Sequence, residues 1–165
     1  MNEQSLFGRF HDSPLLKKLV DGILMSSSQQ QPAQIFLQNL HGSSTAFIIE
    51  AIFKNEATAN LNHLVVLNDA EEAAYFFNSV ESVTAAMDLF YFPSSFKTTQ
   101  NFSLLNPSHV MLRTEALTKL SMGGNKKIVV TYPEAFFEKV IMPKTLQENI
   151  IQIKTNDTLG LNDLM

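Results

Sequence analysis

A three-layer α/β domain with a mainly parallel sheet is the fold this sequence predicts, and three observations point to it. Short apolar runs alternate with segments whose apolar residues recur at helical spacing, the pattern of repeated strand-helix units. The 165 residues suffice for one domain with a real core, since a chain of this length buries about two thirds of its unfolded surface. The composition, 45% apolar and 17% charged, is ordinary for a globular chain.

Taken in order, Ser13-Pro14 reads as an N-cap followed by proline at the first helical position. Leu15, Leu16, Leu19, Val20, Ile23 and Leu24 then repeat at helical spacing, so a helix is expected to run to about Met25. Ser26-Ser27-Ser28-Gln29-Gln30-Gln31-Pro32 is polar and ends in proline, and reads as a linker closing an N-terminal segment over 1–33. Ile35-Phe36-Leu37 is expected as the first strand, with a helix over 45–55 after it. Leu64-Val65-Val66-Leu67 is the second strand, and Asp69 is placed to cap a helix carrying Ala73, Ala74, Phe76, Phe77 and Val80. Leu89-Phe90-Tyr91-Phe92 is the third. Asn106-Pro107 opens a helix that Gly123-Gly124 ends. Ile128-Val129-Val130-Thr131 is the fourth strand, and Pro133-Glu134 starts a short helix. The α/β domain is thus expected over 34–148. Beyond it, Asn149-Ile150-Ile151-Gln152-Ile153-Lys154 alternates like a half-exposed strand, and Leu161 to Met165 reads as a helix broken off after one turn. The expectation is a fragment of a longer protein, with 149–165 the truncated start of a further domain.

Several function classes are excluded. Without cysteine there are no disulfides, thiolate nucleophiles, or cysteine-held zinc or iron-sulfur sites. The four histidines, 11, 41, 63 and 109, lack metal-ligand spacing, and no metal is expected. A net charge of -4 opposes an autonomous grip on nucleic acid, which requires clustered cations. The N-terminus lacks the layout of a secretion signal and no run approaches the length of a bilayer span, so a cytoplasmic chain with no membrane partner is expected.

The segment IFLQNLHGSSTAFIIEAI, residues 35–52, carries the best functional candidate. A phosphate loop after a strand reads GxxxxGK[ST]: glycines admit backbone amides to the phosphates, the lysine neutralises them, and the hydroxyl holds magnesium. Aligned on Thr45, this chain has Gln38 and Ser43 at the glycines and Ser44 at the lysine. Gly42 keeps some backbone freedom, and the free amides of the helix still favour an anion weakly. Without lysine, however, the simpler reading is a polar loop whose Ser and Thr cap the helix. Neither Ser43 nor Ser44 sits in the GxSxG elbow of a hydrolase, and His41 is misplaced for its triad. Phe76-Phe77 and Phe90-Tyr91-Phe92 read as core rather than as a platform for bases, because no cations interleave them. Asp69, Glu71 and Glu72 are explained by the helix dipole. Arg113 and Glu115, two positions apart on a helix, face different sides and form no catalytic pair. No catalytic residue and no bound cofactor is expected.

Several blocks then line up together: Leu64-Val65-Val66-Leu67-Asn68-Asp69-Ala70-Glu71-Glu72-Ala73, Phe90-Tyr91-Phe92-Pro93-Ser94, Leu112-Arg113-Thr114-Glu115-Ala116-Leu117, and Ile128-Val129-Val130-Thr131-Tyr132-Pro133-Glu134-Ala135. In this order, over most of 34–142, they resemble the N-terminal region of bacterial transcription-repair coupling factors, with phrasing like the Bacteroides-type branch. The resemblance implies a degenerate relative of the first UvrB domain that has lost its nucleotide site. In the family it belongs to an ATP- and magnesium-dependent DNA translocase that displaces stalled RNA polymerase and recruits UvrA for nucleotide excision repair. It further implies that UvrA docks on an inserted domain, expected from about Asn149, so no UvrA-contacting residue is assigned here. DNA and RNA polymerase would be engaged through the parent, whose motor lies elsewhere. The alternative is a free-standing α/β module that binds nucleotides or partners and has no link to repair.

Overall fold

A computed structural model describes residues 8, 10–29, 32, 34–84, 88–96, 104–124, 126–142 and 144–145. In chain order the elements are α1 (Pro14–Gln29), α2 (Ser44–Lys54), a 3-10 turn (Glu56–Thr58), β1 (His63–Val66), α3 (Ala70–Val83), β2 (Leu89–Tyr91), α4 (Pro107–Ser121), β3 (Ile128–Thr131) and α5 (Pro133–Phe136). The strands form one parallel sheet in the order β1-β3-β2. α/β architecture with a parallel sheet is therefore present, in a small open form. The expected strand and helix over 149–165 lie outside the described residues.

The sheet is organised by its last strand. Val129 pairs with Leu64 on one side and Phe90 on the other, and Val130 with Val65 and Tyr91. All four β3 residues are buried, as befits a strand covered on both faces. Ile128 and Val130 point to one face, where they meet Ala46 and Phe53 of α2 and Ala73, Phe76 and Val80 of α3. Val129, with Phe90 and Phe92, points to the other and meets Ala116 and Leu117 of α4. Because α4 covers only the β2 and β3 side, Leu64 and Val66 on β1 are left 54% and 50% exposed.

Local signals explain the helix ends. Asp69 accepts from the Glu72 amide at 2.8 Å, and Glu72 accepts from the backbone and side-chain amides of Asn68. This reciprocal arrangement satisfies donors at the start of α3. Asn106 caps α4 with proline directly behind it. Past Met122, Gly123 and Gly124 take φ values of 71° and 81°, a left-handed geometry costly for any residue with a Cβ. The Lys127 ammonium closes this turn by donating to both glycine carbonyls, at 2.8 and 2.9 Å.

Two expectations are corrected. Of the linker expected at 26–32, residues 26–29 are helical, because α1 runs on to Gln29. No helix breaker stands before Pro32, and Ser28 bonds back to the Met25 carbonyl at 2.9 Å, so the polar turn continues the helix. The strand expected at Ile35-Phe36-Leu37 does not form. The Ile35 side chain lies so close to α1 that a Cβ on Gly22 would meet its Cδ1 at 2.9 Å. Asn39 at φ 60° then turns the chain out of the extended region. Helix α1 itself packs on α2 through Leu16 and Val20 against Ala51 and Ile52.

The two faces of β1 and β3 should respond differently to truncation. Ile128→Ala is expected to cost about 2–5 kcal/mol in urea unfolding, whereas Leu64→Thr should stay within about 0.5 kcal/mol.

Candidate functional site

The loop at 38–45 leads into α2. Gly42 has φ 55°, and the Ser44 amide donates to the His41 carbonyl at 3.2 Å, so the chain makes a tight turn into α2. Ser43 occupies the N-cap position without a side-chain hydrogen bond, which corrects the expectation of hydroxyl capping by that residue. Gln38, Gly42 and Ser43 are exposed, and Ser44 and Thr45 half-buried. The Ser44 hydroxyl is buried and has no hydrogen-bond partner. The residue itself lines, with Gln38, a cavity of about 430 Å³ walled mainly by apolar side chains of α1, α2 and the 35–40 segment. No strand leads into this loop, so it does not sit at the carboxyl end of a sheet strand, where phosphate-binding turns are built.

That carboxyl end holds a second constellation. Arg113, 4% exposed, reaches from α4 under the loops that leave β2 and β3. Its Nη1 donates to the Pro93 carbonyl at 2.8 Å and the Ala135 carbonyl at 3.0 Å. Its guanidinium carbon stands 4.0 Å above the Phe92 ring, a favourable cation-π placement. Nε faces Glu138 Oε1 at 3.5 Å. Glu138 Oε2 in turn accepts from the Ser94 hydroxyl at 3.0 Å and the Ser95 amide at 2.9 Å. The Ser94 amide donates to the Tyr132 hydroxyl at 2.8 Å. The Ser94 carbonyl lies 2.9 Å from His109 Nδ1; a carbonyl only accepts, so Nδ1 carries the proton.

The electrostatics follow from burial. Desolvation pulls the Arg113 guanidinium below its ordinary value, and the charge of Glu138 works against that pull. Burial alone would raise the Glu138 carboxyl, but hydrogen bonds from Ser95 and Ser94 and the charge of Arg113 hold it below 4.5. Burial raises Tyr132, and burial together with Tyr132 pushes Tyr91 up to about 12. Both phenols are therefore neutral hydrogen-bonding groups at neutral pH.

Chemically, the cluster is a clamp. Arg113 Nη1 and Nε, the Glu138 carboxylate and the Ser94 hydroxyl are turned onto backbone or onto one another, whereas Arg113 Nη2 is buried without a partner. Arg113 and Glu115 do part, the first buried and the second exposed. The spacing of Glu138, 25 positions along the chain from Arg113, hid their pairing in the sequence. One signal was present: Arg113 stands three and four positions before Ala116 and Leu117, on the apolar face of α4. Among the described residues, no three His, Asp or Glu side chains converge as a metal site would require. His63 is half-buried against Phe53, with Nε2 unpartnered, and burial lowers its pKa from 6.5. Compared with protein-family models, with curated proteins and with solved structures, the chain matches none.

Acid should lower the stability of the protein through two groups. Below pH 6.5 the unfolded chain protonates His63 before the fold accepts that proton, so stability falls as pH drops. Below 4.5 the unfolded chain likewise protonates Glu138 first, and the stability held by its carboxylate is lost as pH falls through the folded-state value. Urea unfolding of Glu138→Gln across this range should show a shallower loss of stability below pH 4.5, with the loss that begins below 6.5 retained.

Proposed function

We propose that this chain is a non-catalytic N-terminal scaffold of the transcription-repair coupling factor kind, a domain related to the first domain of UvrB that holds its neighbours in place without binding ATP. One observation carries the reading. The four resembling blocks, scattered over residues 64–135, supply β1 and β3, the start of α3, the loop after β2 and one stretch of α4. The Arg113 guanidinium of the third block bonds Pro93 of the second and Ala135 of the fourth, and covers Phe92. The first block contributes β1 and the capped start of α3 beside them. Residues that keep company in a sequence pattern thus keep company in space, around a contact that serves architecture.

One further feature agrees with this reading, although no strand leads into the loop at Gln38, Ser43 and Ser44. Phe136, Phe137, Val140, Ile141 and Met142 form an exposed apolar run after β3, the kind of surface that other domains of a larger protein cover. In such a parent, ATP, magnesium, DNA and RNA polymerase belong to domains outside these residues, and UvrA to the neighbouring inserted domain. The competing reading is a free-standing α/β interaction module.

Two measurements separate these possibilities. Titration of ATP with magnesium into the purified chain should give no binding heat, and micromolar affinity would overturn the proposal. Reading the gene past the Met165 codon should reveal motor motifs, whereas a stop codon there would favour the free-standing module.

A further inference from the structure

We propose that β1 is an assembly edge, at which two copies of this chain pair their β1 strands antiparallel about a two-fold axis and join their sheets into one. β1 stands at the margin of the sheet, with β3 on one side and no strand on the other among the described residues. His63 and Leu67 donate to the Lys127 and Thr131 carbonyls at 2.7 and 2.9 Å, so by the alternation of a parallel ladder Leu64 and Val66 turn their N–H and C=O groups outward. Among the described residues, no hydrogen bond or β-bridge reaches those outward groups. The Leu64 and Val66 side chains are exposed as well, on the face that α4 leaves uncovered at β1.

Proteins shield such an edge with lysine, inward-pointing charge, proline or a bulge. Residues 59–68 contain no Lys, Arg, Asp or Glu and no proline, and the register of β1 on β3 runs without a bulge. The edge is thus open to pairing, and its own sequence supplies the match. Centred on Val65, an antiparallel pair sets Leu64 of each copy opposite Val66 of the other, each couple exchanging both backbone hydrogen bonds. The exposed leucines and valines of both copies then meet on one face, where cross-strand contact stabilises the pair. A slip by one residue would set the outward N–H groups against residues whose groups are spent on β3. The ladder ends at Asn68, whose amide donates to the Glu72 carboxylate at 3.0 Å. Such a contact is isologous, so it closes as a dimer. A junction this short buries less than the roughly 1,200–2,000 Å² of a standard interface, so the pair is weak and the chain monomeric when dilute. The inference stands independently of the coupling-factor reading.

Sedimentation velocity of the full chain, from about 10 μM to about 1 mM, provides the test. The mass is expected to rise toward that of a dimer, and the amides of Leu64 and Val66 should gain protection from hydrogen exchange over the same range. Val66→Lys, at an exposed position, should weaken association about tenfold or more, with circular dichroism checking its fold. The chain has no cysteine, and Val65 would face its own symmetry mate at a Cα separation of about 4.5 Å, within reach of a disulfide. Val65→Cys should therefore crosslink under mild oxidation well ahead of Leu64→Cys. The proposal is overturned if the chain stays monomeric at the highest concentration or if Val66→Lys associates as the unaltered chain does. It is equally overturned if the Leu64 and Val66 amides are already protected at dilution, the mark of an edge covered by the chain's own residues, or if Leu64→Cys crosslinks as fast as Val65→Cys.

Discussion

A buried guanidinium needs partners, and that need organises the carboxyl end of this sheet. Arg113 is almost wholly removed from water, a position that costs several kcal/mol unless hydrogen bonds and opposite charge offset it. The offset comes from separate stretches of chain: the Pro93 carbonyl after β2, the Ala135 carbonyl in α5, and Glu138 just beyond. None of these positions can shift far without stranding the charge. The Ser94 and Ser95 loop is fixed in turn, because it is held by the same Glu138 carboxylate.

This clamp complements the hydrophobic organisation. β3 lies between two parallel neighbours and buries residues on both faces, so the helices after β1 and β2 must cover opposite sides of the sheet. Apolar burial sets that arrangement but is indifferent to where the exit loops go. Directional bonds from Arg113 and Glu138 supply the missing specification, and Thr131 adds one more by donating to the Phe92 carbonyl at 2.7 Å. In an enzyme, groups at the carboxyl ends of parallel strands would face a substrate crevice. Here they face each other, which is why this cluster reads as structural.

Much of the fold was legible because its signals are local. Asp69, Asn106-Pro107, Gly123-Gly124 and Pro133 each act through the backbone within a turn, and every helix they announced is present. Three strands announced by β-branched and aromatic runs also formed. The failures came where tertiary packing outweighed local preference. Ile35-Phe36-Leu37 has strand composition, but contact with Gly22 and the turn at Asn39 hold it outside the sheet. The serines at 26–28 looked like a linker, and with no breaker among them they continued α1. The candidate site was legible by half: the missing lysine was plain, whereas the cavity beside Ser44 and the pairing of Arg113 with Glu138 depend on residues distant in sequence.

Native-state hydrogen exchange on Arg113→Met tests the clamp most directly. Methionine keeps much of the side-chain length and apolar contact while removing the donors and the charge. The amides of Ser94, Ser95 and Phe136 should lose protection while those within β3 keep it, so the sheet persists and its exit loops loosen. Unchanged protection at Ser94, Ser95 and Phe136 would show that these loops hold their positions without Arg113, and would contradict the account.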